Sequence, residues 1–240
     1  MRYAIISDIH SNLEALEAVL ASLKGERIDA YMSTGDIVGY GADPVACVER
    51  VRALDPAIVA GNHDWAVAGR LSLDFFNAYA REAIEWTRAR LDPDAVRWLG
   101  SLPLVKRMGD VTLVHATLHA PENFDYLLTA YDAFLSLEVL ESTVCFVGHS
   151  HVPVTFADNG RVTFSFSSEF DLATVHKAIV NAGSVGQPRD GNPQASYGIY
   201  DDETRRVEVR RVDYDVAAAT SKILAAGLPS ILAERLWVGK

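Results

Sequence analysis

The stretch RYAIISDIHSNLE, residues 2–14, contains an apolar run, a polar cluster and a helix start in succession. The apolar run Arg2–Ser7 predicts a buried β-strand. Ser11 and Glu14 have the S-x-x-E spacing of a capping box, which predicts that a helix begins here. Leucines at steps of three and four residues continue that helix and form one apolar face; they are Leu13, Leu16, Leu20 and Leu23.

The same order of strand, polar residues and helix continues along the chain. A second strand is predicted at about Ala30–Thr34 and a third at Ala57–Ala60. Asp43 and Pro44 between them supply an N-cap and a proline at the first helical position. This β-α-β-α-β order is typical of a parallel sheet covered by helices, so the sequence predicts an α/β fold.

The remainder of the chain is mostly helical in the middle and rich in short strands after residue 150. Helices are predicted at about Leu73–Leu91, Asp94–Leu99, Tyr126–Leu140 and Val216–Ala226, with a tail after the last. Further strands are predicted at Val111–Val114, Val144–Val147, Val154–Phe156, Val162–Phe166, His176–Val180, Tyr197–Tyr200 and Val207–Val212. Because no repeat or linker interrupts the chain, we expect one domain over residues 1–240, with a parallel half followed by an antiparallel half.

The composition is that of a folded, acidic protein. Its 240 residues include 22 Lys and Arg against 32 Asp and Glu, a formal net charge of −10, and 49% are hydrophobic. This balance argues against a protein that wraps a long nucleic acid, since that requires a basic face. A small phosphorylated substrate at a local site stays compatible with it.

The two cysteines and the apolar segments bear on the compartment. Cys47 and Cys145 lie far apart in apolar surroundings, as buried thiols of a reducing cytosol do. The N-terminus lacks the long apolar core of a signal peptide. No apolar run approaches the length of about 20 residues that a membrane span needs. We therefore expect a cytoplasmic protein with no membrane partner.

Side chains of the kinds that bind metals follow the predicted strands in the first 151 residues. The carboxyl ends of strands in an open α/β sheet converge on one crevice, so we expect these side chains to share a site. Imidazole, carboxylate and amide groups without a thiolate suit Mn, Fe, Ni, Co or Zn better than a closed structural zinc. The residues are Asp8, His10, Asp36, Asn62, His63, Asp64, His115, His149 and His151.

The spacing within these clusters suits a shared metal site. In Asp8-x-His10 and His149-x-His151, an extended backbone would place both side chains on the same side. One carboxylate can bridge two ions about 3.5–4 Å apart, and such a pair activates water and binds a phosphoryl oxygen.

Five sequence blocks together resemble the calcineurin-like metallophosphoesterase superfamily, and all occur in the family's order. They are D-x-H at 8–10, G-D-x-x-G at 35–39, G-N-H-D at 61–64, His115 and G-H-x-H at 148–151. The resemblance implies a four-layer α/β/β/α sandwich with mixed sheets and two divalent ions. It implies two sets of ligands that share Asp36 as a bridge: Asp8, His10, Asp36 and His151 for one ion, and Asp36, Asn62, His115 and His149 for the other.

The same resemblance leaves His63 free of metal, placed to contact the phosphoryl group or to protonate the leaving oxygen. A histidine titrates near neutral pH, which suits a general acid. Asn62 is a neutral ligand, so the site keeps positive charge for a phosphate. Asp64 is either a supporting partner of the site or an N-cap. Ser11 stands where many relatives have glycine, and its predicted capping role accounts for it.

Departures from the superfamily pattern narrow the substrate class. Protein Ser/Thr phosphatases carry an Asp-Arg pair where this chain has Gly39 and Tyr40, which argues against that activity. The segments at 35–41 and 181–189 instead resemble the small bacterial and archaeal phosphodiesterase branch.

Candidate substrate contacts lie outside the metal-binding blocks. Arg189 is a candidate to bind a second phosphate or a base, unless the loop Gly183–Arg189 is only a structural turn. His119 either lines the pocket or lies on the surface. Tyr40 and Phe124 either stack on a base or an aryl group or pack in the core.

The leading hypothesis is a dinuclear metal-dependent phosphoesterase that hydrolyses small phosphodiesters or nucleotides by attack of a metal-bridging hydroxide. Hydrolysis of dinucleoside polyphosphates or phosphomonoesters is the alternative. A nuclease is a weaker hypothesis because the chain is acidic. A non-catalytic scaffold, such as the related retromer subunit, is weaker still because His63 and every ligand position are filled.

Overall fold

The computed structural model describes residues 1–240, which form twelve strands and eight α-helices. The strands are β1 (Arg2–Ile6), β2 (Ala30–Ser33), β3 (Ala57–Ile58), β4 (Val105–Met108), β5 (Val111–Val114), β6 (Val144–Val147), β7 (Val154–Asp158), β8 (Val162–Ser165), β9 (Glu169–Asp171), β10 (Lys177–Asn181), β11 (Ala195–Asp201) and β12 (Arg206–Val212). The helices are α1 (Leu13–Leu23), α2 (Pro44–Leu54), α3 (Asn62–Val67), α4 (Ala78–Arg88), α5 (Pro93–Ser101), α6 (Ala130–Val139), α7 (Val216–Ala225) and α8 (Ser230–Val238).

The strands form two six-stranded mixed sheets. The first has the order β3-β2-β1-β11-β12-β9, in which β1, β2 and β3 are parallel to one another. The second has the order β4-β5-β6-β10-β7-β8, with β5, β6 and β10 parallel. Each sheet thus has a parallel part that brings strand carboxyl ends to one edge and an antiparallel part that extends it.

Apolar side chains fill three layers of packing. Ile5, Met32 and Phe146 belong to the core between the two sheets. A larger cluster packs the outer face of the first sheet against helices α1 to α5, and α6 covers the second sheet. The arrangement is the predicted four-layer α/β/β/α sandwich, which is therefore confirmed. None of the helices is both long enough and apolar enough to cross a membrane.

The start of α1 differs from the prediction. Its N-cap is Asn12, whose side chain accepts a hydrogen bond from the Ala15 backbone N–H at 3.1 Å. Ser11 instead has a left-handed backbone, with φ of 55°, and its buried hydroxyl has no hydrogen-bond partner. The predicted capping box is therefore wrong, because the turn after β1 places Ser11 before the cap.

Other parts of the secondary structure also differ from the prediction. The single helix predicted at Leu73–Leu91 is a short 3₁₀ turn at Leu73–Phe75 followed by α4, and the expected C-terminal tail contains α8. Strands β4 and β9 were not predicted; they are edge strands rich in charged residues, which sequence periodicity detects poorly. The antiparallel strands β11 and β12 return to the first sheet instead of forming a separate half.

We predict that Phe146→Ala lowers the free energy of unfolding by about 3–5 kcal/mol, because the substitution leaves a cavity between the sheets. The Phe146 ring is fully buried and lies 5.4 Å from the Tyr200 ring. Urea denaturation followed by circular dichroism measures the change. Phe166→Ala is the matched control, since Phe166 is 67% exposed. Equal losses for the two variants would contradict this account of the core.

Candidate metal centre

The predicted ligands lie at one edge of the sandwich, in the turns that follow β1, β2, β5 and β6 and at the start of α3. Most of these turns have a left-handed backbone. The φ values are 52° at Asp8, 49° at His10, 53° at Asp36, 66° at His149 and 60° at His151. Residues other than glycine seldom adopt this conformation, and such strain is often concentrated at functional sites.

The backbone at the D-x-H and H-x-H pairs is not the extended one that the sequence analysis predicted. The two side chains of each pair do not leave an extended backbone; they leave tight turns with positive φ. Backbone hydrogen bonds hold these turns, from the Asp8 N–H to the Gly35 oxygen and from the His10 N–H to the Asp36 oxygen, each at 3.0 Å. The turn after β1 is therefore held directly by the turn after β2.

Glycines next to the ligands allow the turns to pack closely. A Cβ at Gly148 would lie 2.5 Å from Asp8 Oδ2, and one at Gly61 would overlap Asp36 Oδ1. Real Cβ atoms are not found at such separations from carboxylate oxygens. Glycine is therefore needed before both His149 and Asn62 for steric reasons.

Three of the imidazoles have a fixed tautomer. In each, Nδ1 lies within hydrogen-bond distance of a backbone carbonyl oxygen, which can only accept, so Nδ1 carries a proton and Nε2 is the nitrogen left for a ligand. Such carbonyl partners are typical of metal-binding histidines. The pairs are His10 with Val38 at 3.1 Å, His115 with Thr34 at 2.7 Å, and His151 with Gln187 at 2.6 Å.

The ring nitrogens that do not face a backbone carbonyl point at one another. His10 Nε2 lies 3.1 Å from His151 Nε2, and neither atom has a proton to share. His115 Nε2 lies 3.1 Å from His149 Nδ1 and 3.2 Å from Asn62 Oδ1. Ligands bonded to one ion at about 2.0–2.2 Å lie roughly 3 Å apart, so these separations suit a shared cation. The donor set therefore fits divalent metal.

Asp36 lies between two groups of acceptors. Its Oδ2 is 3.3 Å from His115 Nε2 and 3.5 Å from His10 Nε2. Asp8 Oδ1 lies 3.3 Å from His151 Nε2 and 3.9 Å from His10 Nε2. Three groups have ligand atoms within 4.8 Å of one another: Asp8, His10 and His151; Asp36, His115 and His149; and His10, Asp36 and His63.

Charge coupling in this buried cluster is strong. Burial alone would raise the pKa of Asp36, but the facing His115 and His63 imidazoles hold it well below its ordinary value. Burial also opposes protonation of His115, yet the Asp36 carboxylate raises the pKa of His115 to about 9. A cation that takes the place of the His115 proton would satisfy the same carboxylate.

Asp64 supports the Asp36 turn; it is not the predicted N-cap, which is Gly61, but lies at the third position of α3 and completes a capping box. Its carboxylate accepts hydrogen bonds from the Asp36 N–H at 2.8 Å, the Ile37 N–H at 2.9 Å and the Gly61 N–H at 3.0 Å. Burial and the nearby Asp36 charge raise the pKa of Asp64, and hydrogen bonds from the Gly61 and Val38 N–H groups oppose that shift. The side chain joins the turn after β2 to the start of α3.

The loop Gly183–Arg189 is tied to the turn after β1. The Val185 N–H donates to the Ser7 oxygen, and the Gly186 N–H donates to the Asp8 oxygen, each at 2.9 Å. The Ser184 hydroxyl donates to the same Asp8 oxygen at 2.8 Å. The loop thus has a structural role and also carries Arg189 to the site.

His63 lies beside the acceptor groups. Its backbone N–H donates to Asp36 Oδ1 at 2.9 Å, and its buried Nδ1 has no hydrogen-bond partner. Its ring lies 4.4 Å from the Tyr40 ring and 5.1 Å from the Phe76 ring. Burial, reinforced by the Arg189 charge, lowers the pKa of His63 to about 4. The imidazole is therefore neutral near pH 7.

A cavity of about 450 Å³ opens over the cluster and contains most of the predicted contacts. Tyr40, Phe124 and Arg189 all line it. His119 does not: its side chain is exposed, and Nδ1 lies 3.2 Å from the Ser136 hydroxyl. Sequence reasoning missed three other aromatic residues of the lining, because apolar residues near helices resemble core positions; they are Phe75, Phe76 and Tyr126.

With this geometry in place, the similarity to known proteins identifies the family. The sequence model of the calcineurin-like phosphoesterase superfamily domain matches residues 1–205, which is most of the chain. The chain belongs to the calcineurin-like phosphoesterase superfamily. Family membership supports a hydrolase that acts on phosphate esters, and the resemblance noted in the sequence is confirmed.

Relatives of this calcineurin-like phosphoesterase cover nearly all of its length. An uncharacterized protein of Methanocaldococcus jannaschii is 42% identical over 243 residues, 99% of this chain and 98% of that one. The crystal structure of a metallophosphoesterase from Sphaerobacter thermophilus is 43% identical and superposes with a TM-score of 0.90, covering 100% of this chain and 99% of that one. Phosphodiesterase YfcE of Escherichia coli is 27% identical over 214 residues, 86% of this chain and 91% of its own.

We predict that divalent metal binds to metal-depleted protein with release of a proton. The His115 pKa of about 9 means that this imidazole is protonated near pH 7 and must lose its proton to become a ligand. Affinity for Mn²⁺ should therefore rise with pH up to about 9. Calorimetry in buffers of different ionisation enthalpy counts the protons released.

His151→Ala should weaken this binding by at least about tenfold, since ligand loss removes a coordinate bond. His119→Ala is the matched control, because it removes an exposed imidazole outside the cluster. Binding that does not depend on pH, or equal affinities of the two variants, would show that metal does not bind at this cluster.

Proposed function

We propose that the protein is a dinuclear metal-dependent phosphoesterase that hydrolyses small phosphodiesters or nucleotides. The observation that carries this proposal is the pair of acceptor groups that meet at Asp36 Oδ2 and line the floor of a cavity. A volume of about 450 Å³ suits a small-molecule ligand. The name of the relative YfcE, a phosphodiesterase, supports the choice of diesters.

Two sets of residues would hold the ions, with Asp36 in both. Divalent ions held there supply Lewis-acid activation of a water and of the phosphoryl oxygens. We expect Mn²⁺ or Ni²⁺ to support activity. We also expect the protein to act in the cytoplasm. The first set is Asp8, His10, Asp36 and His151, and the second is Asp36, Asn62, His115 and His149.

His63 is the residue that moves a proton in this proposal. Its Nδ1 is buried near Gly39, so Nε2 is the nitrogen left to face a substrate. The neutral ring donates a hydrogen bond from Nε2 to the phosphoryl group. The negative charge of a bound phosphate raises the pKa of His63, so the ring takes up a second proton from solvent and gives it to the leaving oxygen.

Other residues of the cavity orient the substrate and exclude water. The Arg189 guanidinium lies 5.7 Å from the centre of the Tyr40 ring and beside the site, where it attracts phosphate oxygens. Phe75 and Tyr126 are 78% and 49% exposed although both line the cavity. Exposed aromatic rings at the cavity mouth favour a substrate with an aryl or nucleobase group.

We predict that His63→Ala lowers kcat for diester hydrolysis at least about 10²-fold, the usual effect of losing an acid–base group. The assay uses Mn²⁺- or Ni²⁺-loaded protein with an aryl phosphodiester, an aryl phosphomonoester, cyclic nucleotides and a dinucleoside tetraphosphate. His176→Ala, an exposed histidine far from the cluster in sequence, serves as control. An unchanged rate in His63→Ala would refute the assigned role.

A further inference from the structure

Two arginines share one neutral hydrogen-bond acceptor beside the metal centre. Arg189 follows the loop after β10, and Arg235 belongs to α8. Arg189 donates to Gln187 Oε1 from Nη2 at 2.7 Å and from Nε at 3.2 Å. Arg235 donates to the same oxygen from Nη1 at 3.3 Å. The two guanidinium groups are thus held next to each other by a single amide oxygen.

No carboxylate neutralises this pair. Neither guanidinium has an Asp or Glu oxygen within 4.0 Å, whereas the neighbouring Arg211 is paired with Asp190. The Nε of Arg235 is buried and has no hydrogen-bond partner at all. Burial and the nearby Arg189 charge both lower the pKa of Arg235. Two half-buried cations with unused donors and no counter-charge are an unfavourable arrangement unless an anion binds there.

The pair adjoins the reaction site. Arg189 lines the same cavity as His63, His149 and His151. The lining has three acidic residues, the buried Asp36 and the exposed Glu122 and Asp125, and none of them pairs with either arginine. Arg235 is not part of that lining, but Gln187 holds it beside Arg189, so an anion bound between the two guanidinium groups would lie at the edge of the cavity.

We propose that Arg189 and Arg235 form a subsite for a second phosphate of the substrate. This inference rests on the proposed function and narrows it: the substrate is an ester whose reacting phosphate is linked to another phosphate, as in pyrophosphate-linked nucleotides. Guanidinium groups suit this role because their planar donors match phosphate oxygens in pairs. Gln187 holds both side chains in place without neutralising them.

A binding experiment tests the subsite without turnover. Inorganic pyrophosphate is titrated into metal-depleted protein by calorimetry. Arg235→Gln removes one cation and should weaken binding at least about tenfold, the usual size of a charge-assisted hydrogen bond. Gln187→Glu keeps both arginines and supplies an internal carboxylate, so it should weaken binding to a similar extent even if Arg235→Gln folds poorly.

Arg161→Gln is the control for loss of one positive charge, since Arg161 is exposed and forms no ion pair. It should bind pyrophosphate like the unmodified protein. Unchanged binding in both Arg235→Gln and Gln187→Glu, or an equal loss in Arg161→Gln, would overturn the subsite.

An activity experiment uses the metal-loaded enzyme with two substrates, diadenosine tetraphosphate and an aryl diester that has no second phosphate. Arg235→Gln should lower kcat/KM for the tetraphosphate at least about tenfold more than for the aryl diester. Equal losses for the two substrates would refute the assignment. Absence of turnover with every ester would instead refute the proposed function, while the binding experiment would still decide the subsite.

Discussion

The fold brings hydrogen-bond acceptor atoms that repel one another close together in a buried site, and this constraint governs the rest of the site. His10 Nε2 and His151 Nε2, both unprotonated, lie 3.1 Å apart in a buried site. Protonation of His115, whose pKa the Asp36 carboxylate raises to about 9, offsets part of the negative charge of the cluster. A divalent metal bound here would replace that proton with coordinate bonds, and its binding free energy would also stabilise the folded edge of the sandwich.

The turns at that edge have a left-handed backbone, which is unfavourable in free energy for residues other than glycine. Each left-handed residue other than glycine costs on the order of 1–3 kcal/mol, and five candidate ligands adopt it. Buried hydrogen bonds from other segments offset the cost: Asp64 holds the turn after β2, and Ser184 and Gly186 hold the turn after β1. The segments that support the turns are as distant in sequence as residues 8 and 186, so the site can form only when both halves of the chain have folded.

The parts of the site that sequence could predict are those encoded locally. Apolar runs followed by Asp, Asn or His can be recognised in the sequence. Because strand ends converge, these runs predict that Asp8, Asp36 and His115 share one site. The capping box failed because Ser11 has the spacing of a cap but not its backbone conformation, which the contact between two turns determines. Arg235 gave no signal, since an arginine in a C-terminal helix is usually solvated and only the tertiary fold brings it to Gln187.

The placement of charge connects the fold to the class of substrate. The chain carries a net charge of −10, yet two arginines without counter-charges lie next to a site built for cations. An acidic surface repels a long polyanion over its whole length, whereas a small anion loses little by passing it and gains the full local attraction inside. The arginine pair adds to this selection, because a substrate with a single phosphate leaves one guanidinium group without a partner. The same charge pattern is the one expected for the proposed substrates, which are small molecules with more than one phosphate.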